Sequence, residues 1–468
     1  MATFFIEQFG CRATQADAAA IERQLIDRGY APSPDAHSAD VVVVNTCTVT
    51  AAADLQARQS IRTIHRVNPA ARVIVTGCYA QRAPEELAAL EGVSWVVGNS
   101  HKPEIPRIIQ EMGREFAQGG VPVSPADSIR GFVPLSMIAG ESLSRGRGPV
   151  KILTGDIQEQ RELLVAPVEG GEAGHTRPVL KIQDGCNKRC SYCVIPHVRG
   201  RSRSLAPRSV IEEIRKLCDS GAREVVLSGI DLGNYGRDLA PRAGLGELLR
   251  HILDETSVER LRVSSVEPMD VTQDLIGIFA ASERMARHFH MPLQSGSDRI
   301  LAAMHRWYRA EHYARRAELA REWLPGAAIG ADVIAGFPGE TEEDHQATLS
   351  VIERLPLTYL HVFSFSSRPG TSAAELRNRV PEQAIARRAR ELRALGEKKK
   401  ASFQTAHAGR TMRVLTLNRR GEDASGPWTR ALSSNYLDWR VSGKWPANQF
   451  LDVRMTGLDG GHLLAAIS

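Results

Sequence analysis

The sequence predicts an α/β protein with three folded parts: an N-terminal parallel α/β sheet, a central partial (β/α)6 barrel and a small C-terminal β-barrel. Strand-like and helix-like segments alternate over the first hundred residues and again from residue 179 to about 395, and such alternation predicts parallel sheets covered by helices. After Gly409 the pattern changes to short strands separated by turn residues, which is typical of a small barrel. A chain of 468 residues, 43% of them hydrophobic, has room for about three such domains.

The N-terminal part, residues 1–117, contains four strand–helix units. The predicted strands cover residues 3–7, 40–44, 72–76 and 95–97, and the predicted helices cover residues 14–28, 52–66, 84–90 and 104–115. Residues 118–176 lose this pattern and are rich in Gly, Ser, Pro and charged residues. We therefore expect a linker there, with added strands at 151–153 and 162–167.

The central part, residues 177–401, shows six further strand–helix units. The predicted strands lie at 179–183, 224–227, 261–264, 288–293, 328–334 and 359–365, with helices between them such as 208–220 and 342–354. A full barrel needs eight units, so six units predict an open, partial barrel. A doubly wound sheet has the same periodicity and remains the alternative at this point.

The C-terminal part, residues 402–468, follows a basic amphipathic helix predicted at 382–400. Its predicted strands cover 412–417, 439–441, 450–455 and 462–466. From Thr371 to the end, 17 Lys and Arg stand against 9 Asp and Glu, a net charge of +8; since the whole chain carries +5, the residues before Thr371 carry −3. A basic region of this kind is the electrostatic footprint of a nucleic-acid contact, and an ordinary solvated basic surface is the alternative.

Secretion and membrane insertion are disfavoured by the sequence. The N-terminus MATFFIEQFG lacks the basic and apolar regions of a signal peptide, and the longest apolar runs, such as Val41 to Val44, are far too short to span a bilayer. We therefore expect a cytoplasmic protein without membrane contact. The seven cysteines, an odd number in a reducing compartment, are then core thiols, nucleophiles or metal ligands rather than disulfides.

The most specific motif is a loop with three cysteines, Cys186, Cys190 and Cys193, directly after a predicted strand. Zinc sites usually combine two Cys-x2-Cys pairs, or one pair with histidines. Three thiolates instead suit three irons of a 4Fe–4S cluster, with the fourth iron left open for a substrate or cofactor.

A second set of cysteines, Cys11, Cys47 and Cys78, is scattered in sequence. Each of the three lies just beyond the end of a predicted strand in the N-terminal part. Because the carboxyl ends of parallel strands share one edge of a sheet, we expect the three thiols to converge there. Three independently buried thiols are the alternative.

The other candidate ligands carry less information. Cys218 lies on the apolar face of a predicted helix, and we expect a core thiol there. The 14 histidines contain no metal-binding sequence motif, and we expect His290 to face a neighbouring strand.

The cysteine loop resembles the signature of the radical S-adenosylmethionine (SAM) superfamily. Together, the two cysteine sets and the basic β-domain resemble the methylthiotransferase family of that superfamily. Stretches that carry the resemblance include Asn45-Thr46-Cys47-Thr48-Val49, Pro292-Leu293-Gln294-Ser295-Gly296-Ser297 and Arg368-Pro369-Gly370-Thr371. The stretches 10–15 and 228–238 look most like the branch that acts on threonylcarbamoyladenosine in tRNA, and the C-terminal part looks like the family's RNA-binding TRAM module.

The resemblance implies two 4Fe–4S clusters and SAM as cofactors. It implies that Cys186, Cys190 and Cys193 hold the catalytic cluster, whose open iron chelates SAM, and that Cys11, Cys47 and Cys78 hold an auxiliary cluster. One SAM molecule then supplies a methyl group to sulfur at the auxiliary cluster, and a second is cleaved to a 5′-deoxyadenosyl radical that activates carbon 2 of adenosine 37. Polar residues at the barrel strand ends are expected to line the SAM pocket: Gly229, Asp231, Glu267, Gln294 and Ser295.

The expected partners are the anticodon loop of a tRNA, a low-potential electron donor and a sulfur source. An anticodon loop presents its bases unstacked more readily than a duplex does. Basic residues should hold its backbone, and we predict that role for Arg199, Arg201, Arg203, Lys398, Lys399, Lys400, Arg419 and Arg420.

Four alternatives remain open at this point. Within the family, the substrate is isopentenyladenosine in tRNA or an aspartate of a ribosomal protein. Outside it, the chain is a non-enzymatic Fe–S sensor that binds RNA, or a zinc protein. The six barrel units argue against a sensor, which needs no cavity of the size of SAM.

Overall fold

A computed structural model describes residues 2–117, 150–161, 163–164, 176–423, 426–459 and 461–467. The chain divides into two compact units, one formed by 1–160 with 197–200 and the other by 161–196 with 201–468. The domain limits predicted from the sequence, at 117, 176 and 401, stay predictions. The predicted strand at 162–167 lies almost wholly outside the described residues.

The first unit is a six-stranded parallel sheet. Its elements are β1 (Thr3–Gln8), α1 (Arg12–Ile26), β2 (Ala31–Pro32), β3 (Val41–Thr46), α2 (Ala51–Val67), β4 (Arg72–Gly77), α3 (Cys78–Arg82), α4 (Pro84–Ala88), β5 (Val93–Gly98), α5 (Ile105–Ala117) and β6 (Lys151–Leu153). The strand order is β2-β1-β3-β4-β5-β6, with every pair parallel. The sequence predicted all of these strands except the two-residue β2.

Both faces of this sheet are buried. Val42 and Val44 of β3 pack into one apolar cluster with Ile61 of α2, whereas Val41 and Val43 pack into another with helices α1 and α5. Successive side chains of a strand point to opposite faces, so four consecutive valines supply both cores.

The second unit begins with the partial barrel. Its elements are β7 (Val179–Lys181), β8 (Gln183–Asp184), α6 (Ile195–Arg199), β9 (Arg203–Ser204), α7 (Pro207–Asp219), β10 (Glu224–Ser228), α8 (Leu245–Glu255), β11 (Arg260–Val263), α9 (Gln273–Ala281), β12 (His288–His290), α10 (Asp298–Ala303), α11 (Ala310–Trp323), β13 (Ala328–Ala335), α12 (Glu342–Arg354), β14 (Tyr359–Ser364) and α13 (Glu382–Thr405). Residues from His197 of α6 belong to the first unit.

The strand order of this part decides between the two predicted architectures. Strands β7, β10 and β11 form one parallel sheet, and β12, β13 and β14 form another. Isolated parallel bridges, Leu261 with Met285 and Ser265 with His290, join the two. The six strands therefore follow one another in chain order, as in a barrel, without the reversal of a doubly wound sheet. The predicted strand 288–293 is three residues too long: β12 ends at His290, although Met291 N and Leu293 N still donate to Gly330 O and Asp332 O of β13.

The chain ends in a closed five-stranded barrel. Its strands are β15 (Thr411–Asp423), β16 (Gly426–Ser433), β17 (Asp438–Ser442), β18 (Phe450–Asp459) and β19 (His462–Ile467), in the order β15-β16-β17-β19-β18. Trp439 fills its core without exposure. The sequence missed β16, and helix α13 runs five residues beyond its predicted end at residue 400.

A buried ion network joins the closed barrel to the start of strands β10 and β11. Glu224 is fully buried and accepts from Arg262 Nε at 2.7 Å and from Arg260 Nη1 at 3.3 Å. The same two arginines donate to backbone carbonyls of β16 and the turn after it, at Leu432, Ser433 and Ser434. The carboxylate of Glu224 thus positions two arginines that bridge the two barrels of the second unit. No helix of the described residues is long and apolar enough to cross a membrane.

Candidate active site

The cysteine loop of the second unit lies between β8 and α6. Its backbone is tightly turned, with Cys193 N donating to Cys190 O at 3.1 Å. Two groups donate directly to sulfur: Lys188 N reaches Cys186 Sγ at 3.4 Å, and Arg306 Nη1 reaches Cys190 Sγ at 3.3 Å. Donation to sulfur is how proteins stabilise cluster-bound thiolates, so the loop fits an Fe–S cluster.

Charged groups surround this loop in pairs. Lys188 Nζ lies 2.9 Å from Asp231 Oδ1, and Asp231 Oδ2 lies 3.5 Å from Cys186 Sγ. On the other side, Arg306 binds Glu267 as well as Cys190. The sequence singled out Asp231 and Glu267 but not Lys188 or Arg306, because a cation becomes informative only once its carboxylate partner is known.

Two of the three thiols, Cys186 and Cys193, have strongly raised pKa values. Burial, followed by the charge of Asp231, raises the pKa of Cys186 well above its usual range. Burial raises the pKa of Cys193 to about 12. A bound cationic metal centre would offset both effects, since a coordinated thiol is deprotonated outright. Three sulfur ligands, with costly ionisation at Cys186 and Cys193 and hydrogen-bond donors aimed at Cys186 and Cys190, suit a metal cluster.

The remaining predicted pocket residues are placed less directly. A Cβ at Gly229 would lie 2.6 Å from Leu232 Cδ2 and 3.0 Å from Gln183 Oε1, so this glycine lets the loop close over Gln183. Gln294 adopts a positive φ of 65°, and Ser295 Oγ contacts Thr348 Oγ1 at 3.3 Å. Their assignment to a SAM pocket stays a prediction.

The second cysteine set converges in the first unit. Cys11 precedes α1, Cys47 follows β3 and Cys78 follows β4; their strands β1, β3 and β4 are neighbours in the sheet. A Cβ at Gly10 would lie 2.9 Å from Cys47 Sγ, and Gly10 has a φ of 99°, so only glycine lets the Cys11 loop approach Cys47 so closely. Burial, then the charge of Cys78, raises the pKa of Cys47 to about 12.

The polar neighbours of these thiols and the exposure of Cys11 are consistent with a second Fe–S cluster. Thr14 Oγ1 lies 3.4 Å from Cys11 Sγ, and Asn99 Nδ2 donates to Cys78 Sγ at 3.6 Å. Cys47 and Cys78 are buried, whereas Cys11 is exposed. The thiols thus form a site that is closed on the sheet side and accessible at Cys11. Cys218 instead packs against the barrel core, as expected of a core thiol.

A buried charge cluster in the first unit was missed by sequence reasoning. Asp17 Oδ2 accepts from Lys102 Nζ at 2.7 Å and from Arg199 Nη2 at 3.1 Å, and all three side chains are nearly inaccessible. Burial lowers the pKa of Lys102. Asp17 thus accepts hydrogen bonds from two basic side chains at once. The predicted RNA contact by Arg199 does not suit this placement, because its side chain is only 1% exposed.

The other predicted RNA contacts fall into two groups. Arg201, Lys398, Arg419 and Arg420 are exposed. Arg203 is buried and lies 4.0 Å from Asp184, while Lys399 Nζ donates to the carbonyls of Glu353 and Leu355 at the C-terminal end of helix α12. Lys400 lies 3.9 Å from Glu397. The exposed Arg201, Arg419 and Arg420 are therefore better candidates for a phosphate contact than Arg203, Lys399 and Lys400.

Two family models match the chain, one over the N-terminal sheet and one over the partial barrel. Residues 3–98 match the family described as uncharacterized protein family UPF0004, and residues 180–352 match the radical SAM superfamily. The threonylcarbamoyladenosine tRNA methylthiotransferase MtaB of Aquifex aeolicus is 36% identical over 441 residues, covering 93% of this chain and 96% of its own. The chain belongs to the radical-SAM methylthiotransferases.

Other methylthiotransferases and solved structures agree with this assignment. The tRNA-2-methylthio-N(6)-dimethylallyladenosine synthase of Syntrophobacter fumaroxidans is 35% identical, covering 92% of this chain and 88% of its own. Among solved structures, the radical SAM methyltransferase TsrM from Kitasatospora setae matches with a TM-score of 0.54 at 18% identity, over 80% of this chain and 77% of its own. That likeness confirms the predicted radical-SAM fold.

Proposed function

We propose that this methylthiotransferase adds a methylthio group to carbon 2 of N6-threonylcarbamoyladenosine at position 37 of tRNA. The observation that carries the proposal is the pair of three-cysteine sites, one at the carboxyl edge of the first sheet and one after the first barrel strands. Each supplies three thiols for a 4Fe–4S cluster and leaves one iron for an outside ligand.

The chain's own residues have defined tasks in this reaction. SAM and the clusters supply methyl transfer and radical chemistry when bound, so the protein supplies position, charge and exclusion of water. Arg306 holds Glu267 beside Cys190 and donates to its sulfur; Lys188 holds Asp231 beside Cys186. When SAM is bound, these carboxylates would accept hydrogen bonds from its amino group.

The identity of the modified adenosine is the more specific part of the proposal. Relatives named for threonylcarbamoyladenosine and for dimethylallyladenosine are 36% and 35% identical, so overall identity does not separate the two. The stretch 228–238 supports the former, and in the structure its last residue, Asp238, anchors the loop by accepting from Ser204 N at 2.8 Å and Ser204 Oγ at 2.6 Å. A tRNA substrate places the enzyme in the cytoplasm, with a low-potential electron donor and a sulfur source as further partners.

Nucleoside mass spectrometry of tRNA from a strain lacking the gene tests the substrate. Loss of the methylthio form of threonylcarbamoyladenosine, restored by the wild-type gene, supports the proposal. Loss of the dimethylallyl analogue instead assigns the other branch, and unchanged tRNA with an altered ribosomal protein refutes a tRNA substrate.

Purified variants test the two cysteine sites separately. Replacing Cys186, Cys190 and Cys193 by alanine should abolish 5′-deoxyadenosine formation under anaerobic, reducing conditions. Cys47→Ala should keep that formation but lose methylthio transfer. Cys218→Ala is the matched control and should retain both iron content and activity. A Cys47→Ala enzyme with full transfer would refute the role of the first site.

A further inference from the structure

Three metal-binding side chains from three adjacent strands meet in the second unit. His290 lies on β12, Asp332 on β13 and His361 on β14. His290 Nε2 and His361 Nδ1 lie 2.9 Å and 3.2 Å from the same oxygen, Asp332 Oδ1. One donor atom from each residue lies within 4.8 Å of the others. The sequence showed no histidine motif because only strand pairing brings these residues together.

The three side chains face the interior of the partial barrel. Their neighbours in sequence, Phe289, Ala331 and Val333, lie in the apolar core that the surrounding helices cover. Successive residues of a strand point to opposite faces, so His290 and Asp332 point the other way. Asp332 pairs directly with His361 across the β13–β14 ladder. The cluster is thus fixed on rigid strands rather than on loops.

The spacing of the donor atoms suits a transition metal ion. Metal–nitrogen and metal–oxygen bonds of about 2.0–2.2 Å place neighbouring ligands of a tetrahedral or octahedral shell about 2.9–3.5 Å apart. The two distances at Asp332 Oδ1, 2.9 Å and 3.2 Å, fall within that range. Two imidazoles and one carboxylate are also the facial triad that holds divalent first-row metals, and two imidazoles disfavour Mg²⁺ and Ca²⁺.

A further residue orients the buried histidine. Tyr359 Oη lies 3.0 Å from His290 Nδ1, the ring nitrogen that does not face Asp332, and 2.8 Å from His288 Nε2. Metal-bound histidines are typically held in this way through their second nitrogen. The His290 side chain is 10% exposed and that of His361 55%, so the site is anchored on one side and open on the other. Open positions allow an additional ligand to bind.

We propose that His290, Asp332 and His361 bind one divalent first-row transition metal ion, separate from the six cysteines of the two predicted cluster sites. The competing explanation is a hydrogen-bond network in which both imidazoles donate to Asp332. Replacing an imidazole by a carboxylate distinguishes the metal site from the hydrogen-bond network. A metal ion can bind the new carboxylate in place of the imidazole. Without a cation, the new carboxylate is repelled by Asp332.

The test is a Co²⁺ titration of the full-length protein with its Fe–S clusters reconstituted, so that the cysteines are occupied. Calorimetry and the visible d–d absorption of Co²⁺ report stoichiometry and geometry. We expect one Co²⁺ per chain, affinity at least tenfold weaker in Asp332→Asn and His361→Ala, and substantial recovery in His361→Glu. His251→Ala, an exposed histidine paired with Glu255 on α8, is the control and should bind as the wild type does.

Two results would overturn the proposal: no stoichiometric binding by the wild type, or equal binding by the wild type, Asp332→Asn and His361→Ala. Circular dichroism and cluster absorbance establish that each variant is folded. Because the His361 side chain is more than half exposed, His361→Ala remains informative even if Asp332→Asn does not fold.

Discussion

The buried carboxylate of Glu224 is expected to hold the two barrels of the second unit together, and replacing it tests this directly. Burial alone would raise the pKa of Glu224, but the guanidinium groups of Arg262, Arg177 and Arg260 outweigh burial and hold it at about 2 instead of 4.5. At about 1.4 kcal/mol per pKa unit, the ionised form contributes about 3 kcal/mol to stability at neutral pH. Glu224→Gln removes this contribution and leaves two buried arginines without their carboxylate, a loss of about 3–5 kcal/mol.

The sign of the pH dependence follows from the lowered pKa. The contribution is fully present above about pH 4.5 and is lost as the pH falls through about 2. The difference in free energy of unfolding between wild type and Glu224→Gln should therefore be about 3–5 kcal/mol at pH 7 and about 2 kcal/mol smaller at pH 3.

Urea denaturation followed by tryptophan fluorescence measures this difference, because Trp439 is buried in the core of the closed barrel. Glu212→Gln is the matched control: Glu212 pairs with Arg208 on the surface, and its loss should cost at most about 0.5 kcal/mol. A difference below about 1 kcal/mol for Glu224→Gln at pH 7, or one that does not shrink between pH 5 and pH 3, would show that the network does not stabilise the junction.

Three further predictions concern the cofactor and RNA sites. Arg306→Gln removes a donor to Cys190 and should lower the reduction potential of the catalytic cluster in an EPR-monitored titration, whereas the exposed Arg309→Gln should not. In protein carrying only the auxiliary cluster, Lys102→Met should lower its potential and Asp17→Asn should raise it, because the two changes alter the buried charge in opposite directions; shifts of the same sign would point to structural damage. Changing Arg419 and Arg420 to glutamine should weaken tRNA binding and reduce the slope of log K against log[salt] by about 1.4, if each contacts one phosphate of a single strand; an unchanged slope would exclude this contact.

Sequence patterns were sufficient to predict those features that depend on the succession of strands and helices along the chain. The convergence of Cys11, Cys47 and Cys78 was predictable, because each follows a strand and parallel strands end at one edge. Likewise, six consecutive units predicted a partial barrel, although only the strand order excluded a doubly wound sheet. Strand β16 was missed because Gly-Pro-Trp-Thr-Arg lacks the apolar alternation of a half-buried strand.

Features that depend on contacts between distant segments were not predictable. The cluster of His290, Asp332 and His361 depends on which residues pair between three strands, and a shift by one residue would turn Asp332 to the other face. In the same way, the charge of Arg199 indicated an exposed RNA contact, whereas the structure uses it to bind Asp17, 182 residues earlier.

The position of Arg199 has a consequence for how the chain acquires its structure during synthesis. The first unit is discontinuous: its sheet is complete by residue 160, but it also includes residues 197–200, where Val198 O accepts from Asn99 Nδ2 at 2.7 Å and Arg199 binds Asp17. A ribosome must therefore translate through the Cys186–Cys193 loop before the first unit can close its interior. During synthesis, the N-terminal unit can therefore complete its folding only after the loop of the catalytic cluster has been translated. A fragment that stops at residue 160 is expected to be less stable than the same unit within the whole chain.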